Sequence, residues 1–194
     1  MGLLTDEQVR RIFLDAGAYR KGHFRLTSGR HSDEYWEKFQ VLQFPSAVQT
    51  LCGDIAGRWS GKGVTVVLGP TTGGILLALE TARQLGVRAL YAEAEHGRRV
   101  LRRGLKLGPQ EHVLVVDDVL TMGGSAAECV QLVEEHGAEL AGIAVLIDRS
   151  SGARLPFATK PDALLRVDAH SWTPETCPMC ADGKPIDEPG SRSL

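Results

Sequence analysis

The sequence predicts an α/β fold, a doubly wound and mostly parallel sheet with helices on both faces. Three observations predict it. Short apolar or β-branched runs near residues 64–68, 88–92, 112–117 and 141–147 alternate with stretches of helical periodicity, the pattern of βαβ units. Two of these runs pass directly into turns rich in Gly and Thr, at 69–74 and 121–125, and each turn opens into a helix. The chain has 194 residues, 43% hydrophobic and 24% charged, which suits a single domain with a sizeable core.

At the N-terminus, Thr5 can cap a helix whose apolar positions Val9, Ile12, Phe13 and Ala16 recur at helical spacing until Gly17 ends it. The segment from Gly22 to Ser32 alternates at Phe24 and Leu26 and then breaks at Ser28-Gly29. By itself it is a hairpin or a loop. A second amphipathic helix starts at Pro45 and Ser46, carries Val48, Leu51, Cys52, Ile55 and Trp59, and closes at Gly61-Lys-Gly63. Next comes the strand at 64–68 with its turn Gly69-Pro70-Thr71-Thr72-Gly73-Gly74, and a helix through Leu77 to Gly86. Glycines and hydroxyls ahead of a helix suit an anion. A tight turn that merely needs glycine is an equal reading on residue types alone. The turn lacks the Lys-Ser/Thr ending of a nucleotide P-loop and the spacing of a dinucleotide fingerprint.

After the strand at 88–92, Arg98, Arg99, Arg102, Arg103 and Lys106 lie together with no acidic residue among them. A solvated face is the ordinary meaning of such a run. Beside two anion loops it reads as a mobile lid that neutralises a departing anion and excludes water. The run Val113–Val116 then leads to Asp117 and Asp118, placed at the carboxyl edge of the sheet where such folds bind ligands. The turn Thr121-Met122-Gly123-Gly124-Ser125 follows, a cradle of backbone amides and hydroxyls at a helix start. Carboxylates for sugar hydroxyls or a metal beside a phosphate cradle suggest a phosphorylated sugar, with an ordinary strand-to-helix turn and a solvated acidic pair as the plain alternative. A helix over 126–136, a strand over 141–147 ending at Asp148-Arg149, and a last strand near 163–167 complete the pattern. An arginine there suits a planar carboxylate, with an Asp148–Arg149 surface pair as the plain alternative.

At this point the resemblance is specific. Val115-Val-Asp-Asp-Val-Leu-Thr-Met-Gly-Gly-Ser125 resembles the phosphoribosyl-pyrophosphate signature of type I phosphoribosyltransferases. Phe24-x-Leu-x-Ser-Gly-x-x-Ser32 is similar to the segment by which the orotate phosphoribosyltransferase family lines its base pocket. The resemblance implies the type I phosphoribosyltransferase fold over 1–194: a hood mainly from about 1–45, a core over about 46–170 and a Pro/Gly-rich tail from about 171. It implies that orotate and phosphoribosyl pyrophosphate become orotidine 5′-monophosphate and pyrophosphate, with Mg²⁺ held mainly by substrate and water.

Several roles follow from the resemblance alone. Asp117 and Asp118 meet the ribose hydroxyls, and Thr121, Met122, Gly123, Gly124 and Ser125 the 5′-phosphate. Gly69, Pro70, Thr71, Thr72 and Gly73, with Arg98 and Arg99, meet the pyrophosphate, and His96 is a weaker lid candidate. Thr27, Ser28, Gly29, Arg30, Thr121 and Arg149 surround orotate. Many relatives carry lysine where this chain has Thr27, which leaves one expected cation unassigned. A homodimer with a lid shared across subunits is also implied. The rivals are a purine phosphoribosyltransferase and a donor-sensing regulator that binds nucleic acid.

A net charge of −2 gives no general reason to bind nucleic acid. No apolar run is long enough to span a bilayer, and the polar-capped N-terminus is unlike a signal peptide. The expected setting is the cytoplasm. Of four cysteines, Cys52 and Cys129 sit singly in apolar helical patterns and read as core. Cys177-Pro-Met-Cys180 has no second pair, which leaves a structural zinc site incomplete within one chain. Reduced structural thiols are the first expectation there, with a disulfide or a zinc ion shared between subunits left open.

Overall fold

The structure is a computed structural model and describes residues 3–26, 29–168 and 170–189. Helix α1 (Asp6–Asp15) starts at Thr5, whose side chain accepts from the Gln8 N–H while Gln8 reaches back to the Thr5 N–H. This reciprocal cap is the reason the helix begins where it does. Strands β1 (Tyr19–Arg25) and β2 (His31–Trp36) form an antiparallel hairpin, so of the two readings of the Gly22–Ser32 segment the hairpin is the one observed. A short α2 (Lys38–Leu42) and the long α3 (Pro45–Trp59) follow. The remaining elements are β3 (Val66–Pro70), α4 (Gly73–Leu85), β4 (Arg88–Glu95), β5 (Arg98–Val100), β6 (His112–Leu120), α5 (Gly124–Glu135), β7 (Glu139–Asp148), β8 (Asp162–Arg166), β9 (Ser171–Trp172) and α6 (Pro178–Ala181).

Six strands form the main sheet in the order β5-β4-β3-β6-β7-β8, parallel except for the edge pair β4–β5. The order explains where a ligand can sit. The chain leaves β3 toward β4 on one side and leaves β6 toward β7 on the other, so the two loops diverge at the β3–β6 boundary. That divergence opens a crevice beyond the carboxyl ends of the strands.

Side chains alternate between two cores. Val67, Leu114, Val116, Ala144 and Leu146 pack on one face with Leu77, Ala78 and Ala82 of α4 and with Leu51 and Ile55 of α3. Val66, Leu68, Val113, Val115, Ile143 and Val145 face the other way, against Ala126, Cys129, Leu132 and Val133 of α5. A strand buried on both faces needs apolar residues at every position, which is why these runs look continuous in the sequence. Cys52 and Cys129 are fully buried, and burial pushes their thiols up to about 11 and about 12, so both are inert core residues.

A second sheet has the order β1-β2-β9. It brings the chain near its C-terminal end back onto the N-terminal hairpin, with Ser32 paired to Ser171 and His31 to Trp172. Trp36 lies under Phe13 and Tyr19, with ring centroids 5.5 and 4.5 Å away. These aromatics join the core that contains Leu114 and Leu164, so α1 and the small sheet are welded to the main one.

Candidate functional site

The site begins with β6. Its ladder to β7 continues past the apolar run, pairing Asp117 with Val145 and Leu120 with Asp148. The carboxylates therefore stand within the strand rather than beyond its end, and only 8% and 3% of Asp117 and Asp118 is exposed. The local backbone makes this tolerable: Asp117 Oδ1 accepts from the Asp118 N–H at 2.8 Å and Asp118 Oδ1 from the Val119 N–H at 2.7 Å. Lys38 Nζ donates to Asp118 Oδ1 at 2.9 Å. Burial first, and the charge of Asp118 second, push the Asp117 carboxyl up to about 7. Lys38 is a site residue that the sequence reading missed. It lies 80 residues from its partner, and no local pattern marks it. Its position supplies a cation beside the acidic pair.

The two loops close on this pair. Gly73 and Gly74 open α4, and a Cβ on Gly73 would lie 2.1 Å from Asp118 Oδ2. Glycine is thus required for the loop to touch the carboxylate. The Thr71–Thr72 peptide is cis. On the other side Gly123 takes φ 76° at the head of α5, a backbone conformation natural to glycine. Thr121, Met122 and Gly124 are exposed, and Ser125 is half-buried.

Arg99 joins the loops. Its Nη1 donates to Thr71 Oγ1 at 2.9 Å and to the Thr71 carbonyl at 3.2 Å, its Nη2 reaches Ser125 Oγ at 3.4 Å, and its Nε meets Glu128 at 3.1 Å. The segment expected as a mobile lid is here a short hairpin, β4–β5, turning at His96 and Gly97 with positive φ at both. Arg102 and Arg103 pair with Glu95 and Glu93 at 3.2 and 3.1 Å. Arg98 is exposed and makes no ion pair among the described residues.

Arg149 follows β7, and its N–H donates to the Leu120 carbonyl at 2.8 Å, which places it beside the Thr121 turn. Asp148 does not pair with it; Asp148 accepts from the Ser150 N–H and faces Arg166 at 3.7 Å. Arg149 Nε is buried with no hydrogen-bond partner, and desolvation pulls the guanidinium below its ordinary value. Glu34 and Tyr35 of β2 are the groups whose charges act on it. A buried guanidinium nitrogen without a partner is costly and is relieved by an anion.

Thr27 and Ser28 lie outside the described residues. Gly29 takes φ 78°, and Arg30 is tied to the small sheet through Ser171, with Nε to Oγ at 2.9 Å. The structure thus brings Asp117, Asp118, both loops, Arg99 and Arg149 to one sheet edge, while Arg98 is exposed and Arg30 is bonded to Ser171 of the small sheet. One expectation is corrected. The Cys177–Cys180 pair is not incomplete within one chain, because His23 and His31 face both thiols. Both cysteines are free of disulfide.

Comparison with known proteins agrees with this architecture. The family model described as "Phosphoribosyl transferase domain" matches residues 40–172. The chain is 47% identical over 191 residues to an orotate phosphoribosyltransferase of Desulforamulus reducens, covering 98% of this chain and 100% of that one. It is 44% identical over 190 residues to the enzyme of the same name from Chlorobaculum parvum, covering 98% of each. Among solved structures, orotate phosphoribosyltransferase from Aeropyrum pernix superposes with a TM-score of 0.69 at 24% identity, over 82% of this chain and 93% of that one. Adenine phosphoribosyl transferase from Trypanosoma brucei superposes at 0.64 and 21% identity, over 84% of this chain and 81% of that one. Those two structures share the fold.

Proposed function

The chain belongs to the orotate phosphoribosyltransferase family, and from that premise we propose that it transfers the 5-phosphoribosyl group of phosphoribosyl pyrophosphate to orotate, giving orotidine 5′-monophosphate and pyrophosphate. The observation that carries the choice of base is Arg149. Its buried, unpartnered Nε beside the Thr121 turn matches a planar carboxylate, which orotate has and purines lack.

Displacement at the ribose C1 passes through a state with positive charge on the ring. Asp117 and Asp118 hold the 2′ and 3′ hydroxyls and face that charge, with Lys38 holding Asp118 in place through its ion pair. The 121–125 turn takes the 5′-phosphate on the N–H groups that open α5. Arg99 and the 69–74 loop receive the pyrophosphate, and exposed Arg98 serves as the movable cation of the hairpin. The small sheet is the hood over the base. Positioning and fixed charge supply the rate, with no covalent intermediate on the protein.

Mg²⁺ fits the donor set, because Asp117, Asp118, Thr71 and Thr72 offer hard oxygens. No described trio of carboxylates forms a cage, so these residues would hold the ion together with substrate oxygens and water. When bound, it neutralises charge on the pyrophosphate. Leu76 and Leu79 on α4, Phe39 on α2 and Phe44 at the start of α3 are exposed apolar side chains suited to cover by a second copy of the chain. No described helix is long and apolar enough to cross a membrane, in keeping with work in the cytoplasm.

The test is loss of orotate absorbance on mixing with phosphoribosyl pyrophosphate and Mg²⁺, with adenine, hypoxanthine and uracil in parallel. Turnover of orotate alone supports the proposal. Turnover of another base overturns the base pocket, and silence with every base overturns the enzyme reading in favour of a regulator. Arg149→Lys sharpens the result: the orotate KM should rise about tenfold or more as the two-pronged contact is lost, with the donor KM unchanged.

A further inference from the structure

We propose that His23, His31, Cys177 and Cys180 form a tetrahedral Zn²⁺ site that fastens the C-terminal segment onto the small sheet. The four residues come from three separate stretches: β1, the first position of β2, and α6 with its N-cap. Their ligand atoms all lie within 4.8 Å of one another. The spacing is that of a coordination shell rather than of a chance cluster. A zinc ion with Zn–N of about 2.0 Å and Zn–S of about 2.3 Å sets its ligands roughly 3.3 Å apart for N–N, 3.5 Å for N–S and 3.8 Å for S–S. His23 Nε2 and His31 Nδ1 are 3.1 Å apart. The N–S separations are 3.5 Å for Cys177 to His23, 3.7 Å for Cys180 to His23 and 3.2 Å for Cys180 to His31.

Hydrogen bonding alone does not account for this convergence. His23 Nδ1 lies 3.0 Å from the Lys184 carbonyl, which can only accept, so the proton of the neutral ring sits on Nδ1. Nε2 is then a bare lone pair, and one donor would satisfy it. Instead an imidazole nitrogen and two sulfurs gather around it. A carbonyl behind the distal nitrogen is also the usual device for aiming a metal-binding histidine. Two thiolates, two neutral imidazoles and Zn²⁺ sum to zero charge, which suits a site where His23, His31 and Cys177 are 6%, 6% and 2% exposed. The S₂N₂ donor set favours zinc over the hard cations.

The location gives the ion a task. The small sheet has three strands, one of them two residues long, too little to hold a tail by apolar burial alone. Apart from the cluster, Asp187 bonds the backbone of His23 and Arg25 at 2.8 and 2.9 Å, and the ion pairs Arg20–Asp187 and Arg25–Glu188 are half exposed and contribute little. A zinc ion closes a loop of about 150 residues and ties both β1 and β2 to the C-terminal segment. This inference stands on the coordination geometry and is independent of the proposed reaction.

The experiment is elemental analysis of the untagged, full-length chain purified without added metal or chelator, paired with thiol titration and Co²⁺ substitution. About one zinc per chain is expected, released when a mercurial titrates the thiols, and Co²⁺ should give the intense visible absorption of a tetrahedral thiolate site. Cys180→Ser, at the exposed ligand, should lose most of the metal while circular dichroism shows the sheet and helices retained. A folded wild-type chain with neither zinc nor Co²⁺ absorption, an isolated Cys177–Cys180 disulfide, or full zinc retention in Cys180→Ser would each overturn the site. If Cys180→Ser does not fold, the wild-type metal content and cobalt spectrum decide by themselves.

Discussion

The loops after β3 and β6 share one plan, strand into glycine turn into helix, yet their glycines serve different ends. At 69–74 they allow contact. A Cβ on Gly69 would lie 2.0 Å from the Gly74 carbonyl oxygen, and one on Gly74 would lie 2.7 Å from the Pro70 ring. At 121–125 Gly123 is still packed, since a Cβ there would lie 3.1 to 3.2 Å from Phe157, Pro156 and Leu155, but Gly124 leaves room. Nothing lies within 4 Å of a Cβ placed on Gly124, and Met122 is 71% exposed. The first loop is folded against itself before any ligand arrives, with its backbone already shaped. The second is an open cradle whose space belongs to the ligand. Glycine density alone marks both as candidate anion sites; only the packing tells a preformed wall from an empty seat.

The comparison can be broken at its strongest point. Gly69→Ala should cost about 3 kcal/mol or more, because a backbone carbonyl cannot move aside as a side chain can; thermal unfolding measures it. A loss under about 1 kcal/mol would mean the first loop is as loose as the second.

Asp117, between the loops, gives the next effect. Asp117→Asn keeps the acceptor for the Asp118 N–H but removes the charge, and turnover should fall on the order of 100-fold. In the wild type the carboxyl is raised to about 7 in the folded chain. It binds its proton more tightly folded than unfolded, so its contribution to stability is greatest in acid and is lost as pH rises through about 7. Activity should run the other way, increasing through the same range as the carboxylate forms. Asp117→Asn should therefore lose the acid limb of the rate profile and be no less stable than wild type at alkaline pH. Retention of that limb assigns it to another group.

The smallest effect belongs to the open cradle. Gly124→Ala should change stability by less than about 0.5 kcal/mol, since alanine is a good helix former and meets no atom. The donor KM should nonetheless rise, as the methyl enters the space reserved for phosphate. Steady-state kinetics beside thermal unfolding separates the two. An unchanged donor KM would place the 5′-phosphate elsewhere.

Much of the core was legible before any coordinates. The run Val113–Val116 is apolar and largely β-branched because β6 is buried on both faces, and Gly86 with φ 72° ends α4 where the sequence stops it. Boundaries drifted where the backbone ladder outlasts the apolar pattern. The strand expected at 64–68 is Val66–Pro70, with Gly69 and Pro70 paired to Tyr91 and Ala92. β6 likewise carries its two carboxylates inside the sheet. Ladder pairing depends on main-chain groups, which side-chain polarity does not report.

The sequence by itself determined the alternation of the core strands and helices, both glycine turns, the acidic pair and the arginine after β7, but not α2, β5, β9 or α6. Each of these is written in spacing along a few consecutive residues, where periodicity and turn chemistry act. The tertiary structure alone decided that Lys38 meets Asp118, that Arg99 spans Thr71 and Ser125, and that two histidines of a hairpin face two cysteines about 150 residues away. Those meetings are set by how the sheets close on one another. A contact between distant residues leaves no periodic trace in either of the segments that make it.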